Sequence, residues 1–236
     1  MNLSKTNADR LLPTQISEEY RGEPGEYINR LEAFTTSVLG HKEWDIKLKD
    51  GVTYASLGTE IGTLNFYQML ITIGGYRDVL ELGTYIGVSA MYLAEACLGE
   101  VTTVEAGEEF YHIAKENFER NNQAINLIHG DALETLKSLQ GKKFDFILMD
   151  AAKELYAEML PYALNCLTSH GTLVIDDVFF QGDTLNDTAH TEKGRGVKQA
   201  IEDIKLNNDY KKVILPLGNG LMLVTKKPNE WVGHAN

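Results

Sequence analysis

Asp78-Val79-Leu80-Glu81-Leu82-Gly83-Thr84-Tyr85-Ile86-Gly87 is the stretch that decides the fold. A short apolar run, interrupted by one acid and stopped by glycine, reads as a strand covered on both faces. A helical pattern follows through Ala96, and the alternation then repeats downstream. VTTVEA (101–106) precedes a helix reaching Asn121, and INLIHG (125–130) precedes a short one. FDFILMD (144–150) precedes a helix near Ala157–Leu167, and GTLVIDD (171–177) closes the series. Apolar strands separated by helices mean a parallel sheet with helices on both faces. The end differs. KVILPL (212–217) and GLMLVTKK (220–227) meet at Gly218-Asn219-Gly220, which predicts an antiparallel hairpin at the edge of the sheet.

The turn leaving the first strand carries the first chemical signal. Ligands of open α/β sheets bind at the carboxyl ends of strands, where glycine lets backbone approach a cofactor. The dinucleotide pattern G-x-G-x-x-G is not met, because position 85 is Tyr and position 88 is Val. Glu81-x-Gly83-x-x-x-Gly87 is instead the pattern that holds the amino-acid end of S-adenosylmethionine. The plainer reading is a strand-to-helix turn with no ligand. Glu105 ends the second strand, where a carboxylate can accept from both hydroxyls of a ribose; the plainer reading is a solvated strand-end acid. Asp131 follows the third strand, placed to meet adenine, to cap the helix beginning near Leu133, or both. His129 reads as a partly exposed strand-end residue.

The fourth strand delivers Asp150, with Lys153 three residues on, and the fifth delivers Asp176 and Asp177. Three carboxylates at one sheet edge suppress one another's ionisation. A hard divalent cation such as Mg²⁺ relieves that cost. The alternative is that one acid caps a helix and another pairs with Lys153 or Arg195.

The rest of the chain bounds the function. With 22 basic and 34 acidic residues the net charge is −12, which argues against broad binding to a phosphate backbone. Cys97 and Cys166 read as packing thiols. The first residues lack the apolar core of a signal peptide and no run is long enough to span a membrane, so a cytoplasmic protein is expected. Residues 1–54 read as a helical extension covering the substrate side or joining a dimer, with a helix over Glu26–Leu39. A second helix is expected over Gly62–Ile73, ended by Gly74-Gly75. Residues 55–228 form the α/β domain and 229–236 a tail. Met69, Met91 and Met159 read as core filling. Gln181–Gly196 reads as a mobile lid in which Asp183, Asp187 and His190 are solvated. Gly194-Arg195-Gly196 then leads into a helix with Val197, Ile201 and Ile204 inside.

ELGTYIGVSA, VTTVEAGEEF, HGDALETL, FDFILMDAAKELY and GTLVIDDVFFQG together resemble the cation-dependent O-methyltransferases, which include the catechol and caffeoyl-CoA enzymes and bacterial relatives. The resemblance covers about residues 55–227. It implies a class I methyltransferase fold, Rossmann-like, with a mostly parallel seven-stranded sheet. It places Glu81, Gly83, Tyr85 and Ser89 at the methionine end of S-adenosylmethionine, Glu105 at the ribose, and Asp131 and Ala132 at the adenine. Asp150, which also borders the cofactor, falls with Asp176 and Asp177 on the metal ligands, and Lys153 falls on the base. The family usually has Asp-Asn where this chain has Asp176-Asp177. The ligand oxygen survives and the site gains a negative charge. The implied reaction moves a methyl group to a metal-bound hydroxyl of a small molecule, with Lys153 taking the proton if its pKa is depressed. A tRNA hydroxyuridine acceptor and a nucleotide-dependent oxidoreductase are the alternatives, followed by a noncatalytic binding module.

Overall fold

The computed structural model describes residues 38, 44–49 and 59–227. Except for Val38, which is helical, the helix expected over Glu26–Leu39 lies outside them, as does the tail 229–236. All that follows belongs to the unit Glu43–Asn236.

Helix α1 (Ile61–Gly74) ends where Gly75 turns left-handed at φ 61°. Gly75 N–H donates to Thr72 O and Tyr76 N–H to Ile71 O, closing the last carbonyls. The buried face of α1 is Thr63, Leu64, Tyr67 and Ile71, a helical stripe that turns Met69 outward, 56% exposed. The expectation that Met69 fills the core is thereby corrected, while Met91 and Met159 are fully buried. Cys166 is buried as expected; Cys97 is half-exposed at a helix end.

Strand β1 (Asp78–Leu82) leads through the glycine turn into α2 (Val88–Ala96). Then follow β2 (Glu100–Glu105), α3 (Glu108–Arg120), β3 (Asn126–His129), α4 (Ala132–Ser138) and β4 (Phe144–Met149). A 3₁₀ turn, Lys153–Leu155, runs into α5 (Tyr156–Cys166) and β5 (Leu167–Ile175). A second 3₁₀ turn, Phe180–Leu185, precedes α6 (Glu192–Leu206), and β6 (Tyr210–Leu215) and β7 (Leu221–Lys226) close the chain. The sheet has seven strands in the order β3-β2-β1-β4-β5-β7-β6. The pairs from β3 to β5 are parallel, and β7 is antiparallel to both neighbours. Apolar clusters fill both faces.

Register places the chemistry. Leu82 lies opposite Val104 on one side and Met149 on the other. The ladder then runs one bond past each strand: Gly83 N–H to Val104 O, Asp150 N–H to Leu82 O, Asp176 N–H to Met149 O. Glu105, Gly83, Asp150 and Asp176 therefore leave the sheet at one edge, where strand order reverses between β1 and β4.

Helix α6 starts at Glu192, inside the segment expected to be loop. Thr191 caps it, its Oγ1 accepting from Gly194 N–H. Ala200 rather than Ile201 completes its fully buried face, and Ile201 is partly buried. Residues 183–191 are tied together by Asp183, which accepts from His190 N–H, Thr191 N–H and the Thr191 hydroxyl at 2.7–3.0 Å. Asp183 is thus the organising acceptor of the loop and not only a solvated acid. Residues 44–49, assigned to the extension on sequence grounds, lie along α3, with Lys47 N–H donating to Asn117 and Lys47 O accepting from it.

Candidate active site

A cavity of about 490 Å³ opens at the strand ends. Gly83, Tyr85, Ser89, Glu105, Asp131, Ala132, Asp150 and Lys153 line it, together with Thr84 and Phe110. Glu81, Asp176 and Asp177 do not reach its wall. No residue of 181–196 lines it either.

The turn is shaped by what it must approach. Gly83 has φ 101°, and a Cβ there would stand 2.2 Å from Asp150 O, so the position admits only glycine. Tyr85 is also left-handed, at φ 52°, and aims its N–H at Glu105 Oε2 over 2.7 Å. Gly107 N–H holds the other oxygen at 2.8 Å. Two fixed amides therefore orient the Glu105 carboxylate at the cavity and leave each oxygen further acceptor capacity. Tyr85 and Phe110 pack with ring centroids 4.6 Å apart on the same wall. Phe110 was not singled out from the sequence, where it reads as an ordinary helix residue.

Glu81 lies beneath the turn, wholly buried. Thr103 donates to its Oε2 at 2.5 Å, and Thr84, on the cavity wall, lies 2.6 Å from Thr103. Among the described residues, Oε1 accepts no hydrogen bond of good geometry. Burial pushes this carboxyl up to about 8, while the hydroxyls of Ser89 and Thr103 pull it down. Asp131 is both a wall residue and the cap of α4, accepting from Glu134 N–H at 3.0 Å. His129 is exposed and stacks on Tyr111.

Lys153 brings the acid cluster together. Its Nζ lies 2.5 Å from Asp150 Oδ1 and 2.9 Å from Asp177 Oδ2, only 15% of the side chain being exposed. Asp177 achieves this from a left-handed backbone, φ 60°, which is costly for a non-glycine residue. Arg195 takes no part; it donates to His190 O. Asp176 meets neutral donors: Asp177 N–H at Oδ1 (2.7 Å) and the Tyr67 hydroxyl at Oδ2 (2.9 Å). Burial, with Asp150 and Asp177 adding to it, pushes Asp176 up to about 7. Burial also raises Asp150, against the pull of Lys153. For Lys153, burial works downward but the two carboxylates prevail and raise it. That corrects the depressed lysine the sequence argument required. A lysine so paired stays protonated at neutral pH. Among the described residues, no three carboxylates, imidazoles or thiolates are grouped as a ready metal-binding set.

A doubly wound sheet in this order, with a glycine turn at its switch point and an antiparallel C-terminal pair, defines the class I methyltransferase fold. The chain belongs to the O-methyltransferase family, whose sequence model matches residues 46–227. It is 32% identical to the O-methyltransferase ankF of Aspergillus thermomutatus over 170 residues, 64% of this chain and 71% of that one. It is 33% identical to a catechol O-methyltransferase of Mycobacterium tuberculosis over 113 residues, 46% of this chain and 51% of that one. The O-methyltransferase TomG from Streptomyces achromogenes, solved in complex with SAM, superposes with a TM-score of 0.77 at 21% identity. That match covers 88% of this chain and 100% of TomG, a likeness of fold. Among the described residues, no helix is long and apolar enough to cross a membrane.

Proposed function

We propose that this enzyme transfers the methyl group of S-adenosylmethionine to a hydroxyl of a small molecule, using a divalent cation, Mg²⁺ by choice of ligand type. The observation that carries the reading is the alignment of Glu105, the glycine turn and the Asp150–Lys153 pair around one cavity at the switch point. The residues fit the cofactor. Glu105 has acceptor capacity for a ribose diol. Glu81, with an orphaned oxygen under a wall formed by Thr84 and Ser89, suits the ammonium of an amino-acid end. Tyr85 and Phe110 offer aromatic surface beside it.

By charge and donor type the residues also suit a hard cation: Asp150 and Asp177 already share one ammonium, and Asp176 stands close enough to feel the charge of both. Asp150, Asp176 and Asp177 would hold it, and its chemistry there is to acidify a hydroxyl and to engage the carboxylates now paired with Lys153. Freed from those carboxylates and having given its own proton to solvent, Lys153 would accept the hydroxyl proton at Nζ. Gly83 and Asp150 fix the methyl donor beside the same acids, so the acceptor oxygen and the methyl meet by position.

The test supplies S-adenosylmethionine, Mg²⁺ and a panel of vicinal diols, and follows S-adenosylhomocysteine release. Release that needs a diol and stops with chelator is expected. Turnover untouched by chelator would remove the cation, and turnover only with tRNA would replace the small-molecule acceptor.

A further inference from the structure

The three acids of the cluster are not equivalent. Asp150 and Asp177 share Lys153, whereas hydrogen bonds to Asp176 come from an amide and a phenol. The phenol is that of Tyr67, on α1, an element outside the sheet. Tyr67 is fully buried. Its ring packs on Phe146, centroids 6.2 Å apart, and Phe146 belongs to β4, the strand that delivers Asp150. Its hydroxyl reaches past β4 to the end of β5, where Asp176 stands. One side chain thus bears on both strands that carry the acids.

A phenylalanine would fill this space without burying a hydroxyl, which has a cost unless the hydroxyl is hydrogen-bonded. The bond it makes is to a carboxylate, and such bonds are stronger than neutral ones. It also fixes the plane of that carboxylate, because Asp177 N–H holds the other oxygen.

We propose that Tyr67 is a positioning residue for the cation site: its hydroxyl, 2.9 Å from Asp176 Oδ2, orients the one acid of the cluster that Lys153 does not pair. The proposal rests on the cation reading given above and deepens it. Groups that hydrogen-bond a metal-ligating carboxylate set its orientation, and their loss costs roughly 10- to 100-fold in metal affinity. Tyr67 does not touch the cofactor cavity.

Calorimetric titration of the full chain with Mg²⁺, and separately with S-adenosylmethionine, decides the matter on wild type, Tyr67→Phe and Tyr156→Phe. Tyr156 is the matched comparison, a fully buried phenol that donates to a backbone carbonyl, Met149 O, at 3.0 Å. Tyr67→Phe should weaken Mg²⁺ by about tenfold or more, leave S-adenosylmethionine affinity within about twofold, and differ in this from Tyr156→Phe. Unaltered Mg²⁺ affinity in Tyr67→Phe, with wild type binding the ion, overturns the proposal alone. Equal losses in both variants also overturn it, since general loosening then suffices. A wild type that takes up no Mg²⁺ overturns the cation reading and this proposal with it. A melting curve for each variant, with cofactor binding retained, confirms that the fold survives.

Discussion

Lys153 has two oppositely charged partners, at 2.5 and 2.9 Å, in a largely buried place. Removing it does two things at once. Lys153→Met should lower kcat by roughly 10²- to 10⁴-fold, the usual reach of a general base, with cofactor affinity nearly kept. It should also lower the melting temperature, because Asp150 and Asp177 lose their cation. Undiminished turnover would take the base role from Lys153. Glu105 tests the other end of the cavity. Glu105→Gln keeps the shape but exchanges charged acceptors for a neutral amide, so S-adenosylmethionine should bind roughly 10- to 100-fold more weakly, as charge-assisted bonds of about 1.5–3 kcal/mol imply; an unchanged Kd by calorimetry would remove the ribose role. Glu105, Asp150 and Lys153 were readable in the sequence because strand ends are easy to locate and acids there are conspicuous. Tyr67 was not. It sits between Leu64 and Ile71 on a helical stripe, and nothing in such spacing separates a packed phenol from one bonded to a distant carboxylate.

The elements carry the site by close approach. α6 passes so near the turn bearing Lys153 that a Cβ on Gly196 would come within 2.5 Å of Lys153 O. Alanine at a helical glycine gains about 1 kcal/mol in propensity, whereas overpacking costs about 1–3 kcal/mol. The clash should win. Gly196→Ala is expected to lower both melting temperature and kcat by displacing Lys153, with S-adenosylmethionine affinity little changed; a more stable and fully active variant would show that this contact does not set the lysine. The sequence placed β1 and the parallel strands well, since continuous apolar runs between glycines leave little choice. It misplaced the start of α6, where two early glycines look like loop and the Thr191 cap decides otherwise. It also shortened β5, expected from Thr172, which begins at Leu167 and slips register against β4 between Phe144 and Phe146. Polar Thr168, Ser169 and His170 conceal that pairing.

For the molecule as a whole, the site stores a pH dependence. Glu81 at about 8 and Asp176 at about 7 lie above the carboxyl range of an unfolded chain, roughly 4. Between those limits the folded state holds protons that the unfolded chain has released. The stability they contribute is complete below the unfolded range and is lost as pH climbs through 7 and 8. A net charge of −12 adds self-repulsion in the same direction. Without cofactor, the melting temperature should fall from about pH 5.5 to about pH 8.5, and Glu81→Gln should flatten the upper part of that fall. A melting temperature that rises across the interval would contradict these shifts. The claim on which the rest depends is that the cavity at the switch point is built for S-adenosylmethionine. Isothermal titration of the wild-type chain with that cofactor tests it most directly. Saturable binding at one site, weakened in Glu105→Gln, is the expected result; absence of binding by the folded protein, or binding indifferent to Glu105→Gln, would contradict it.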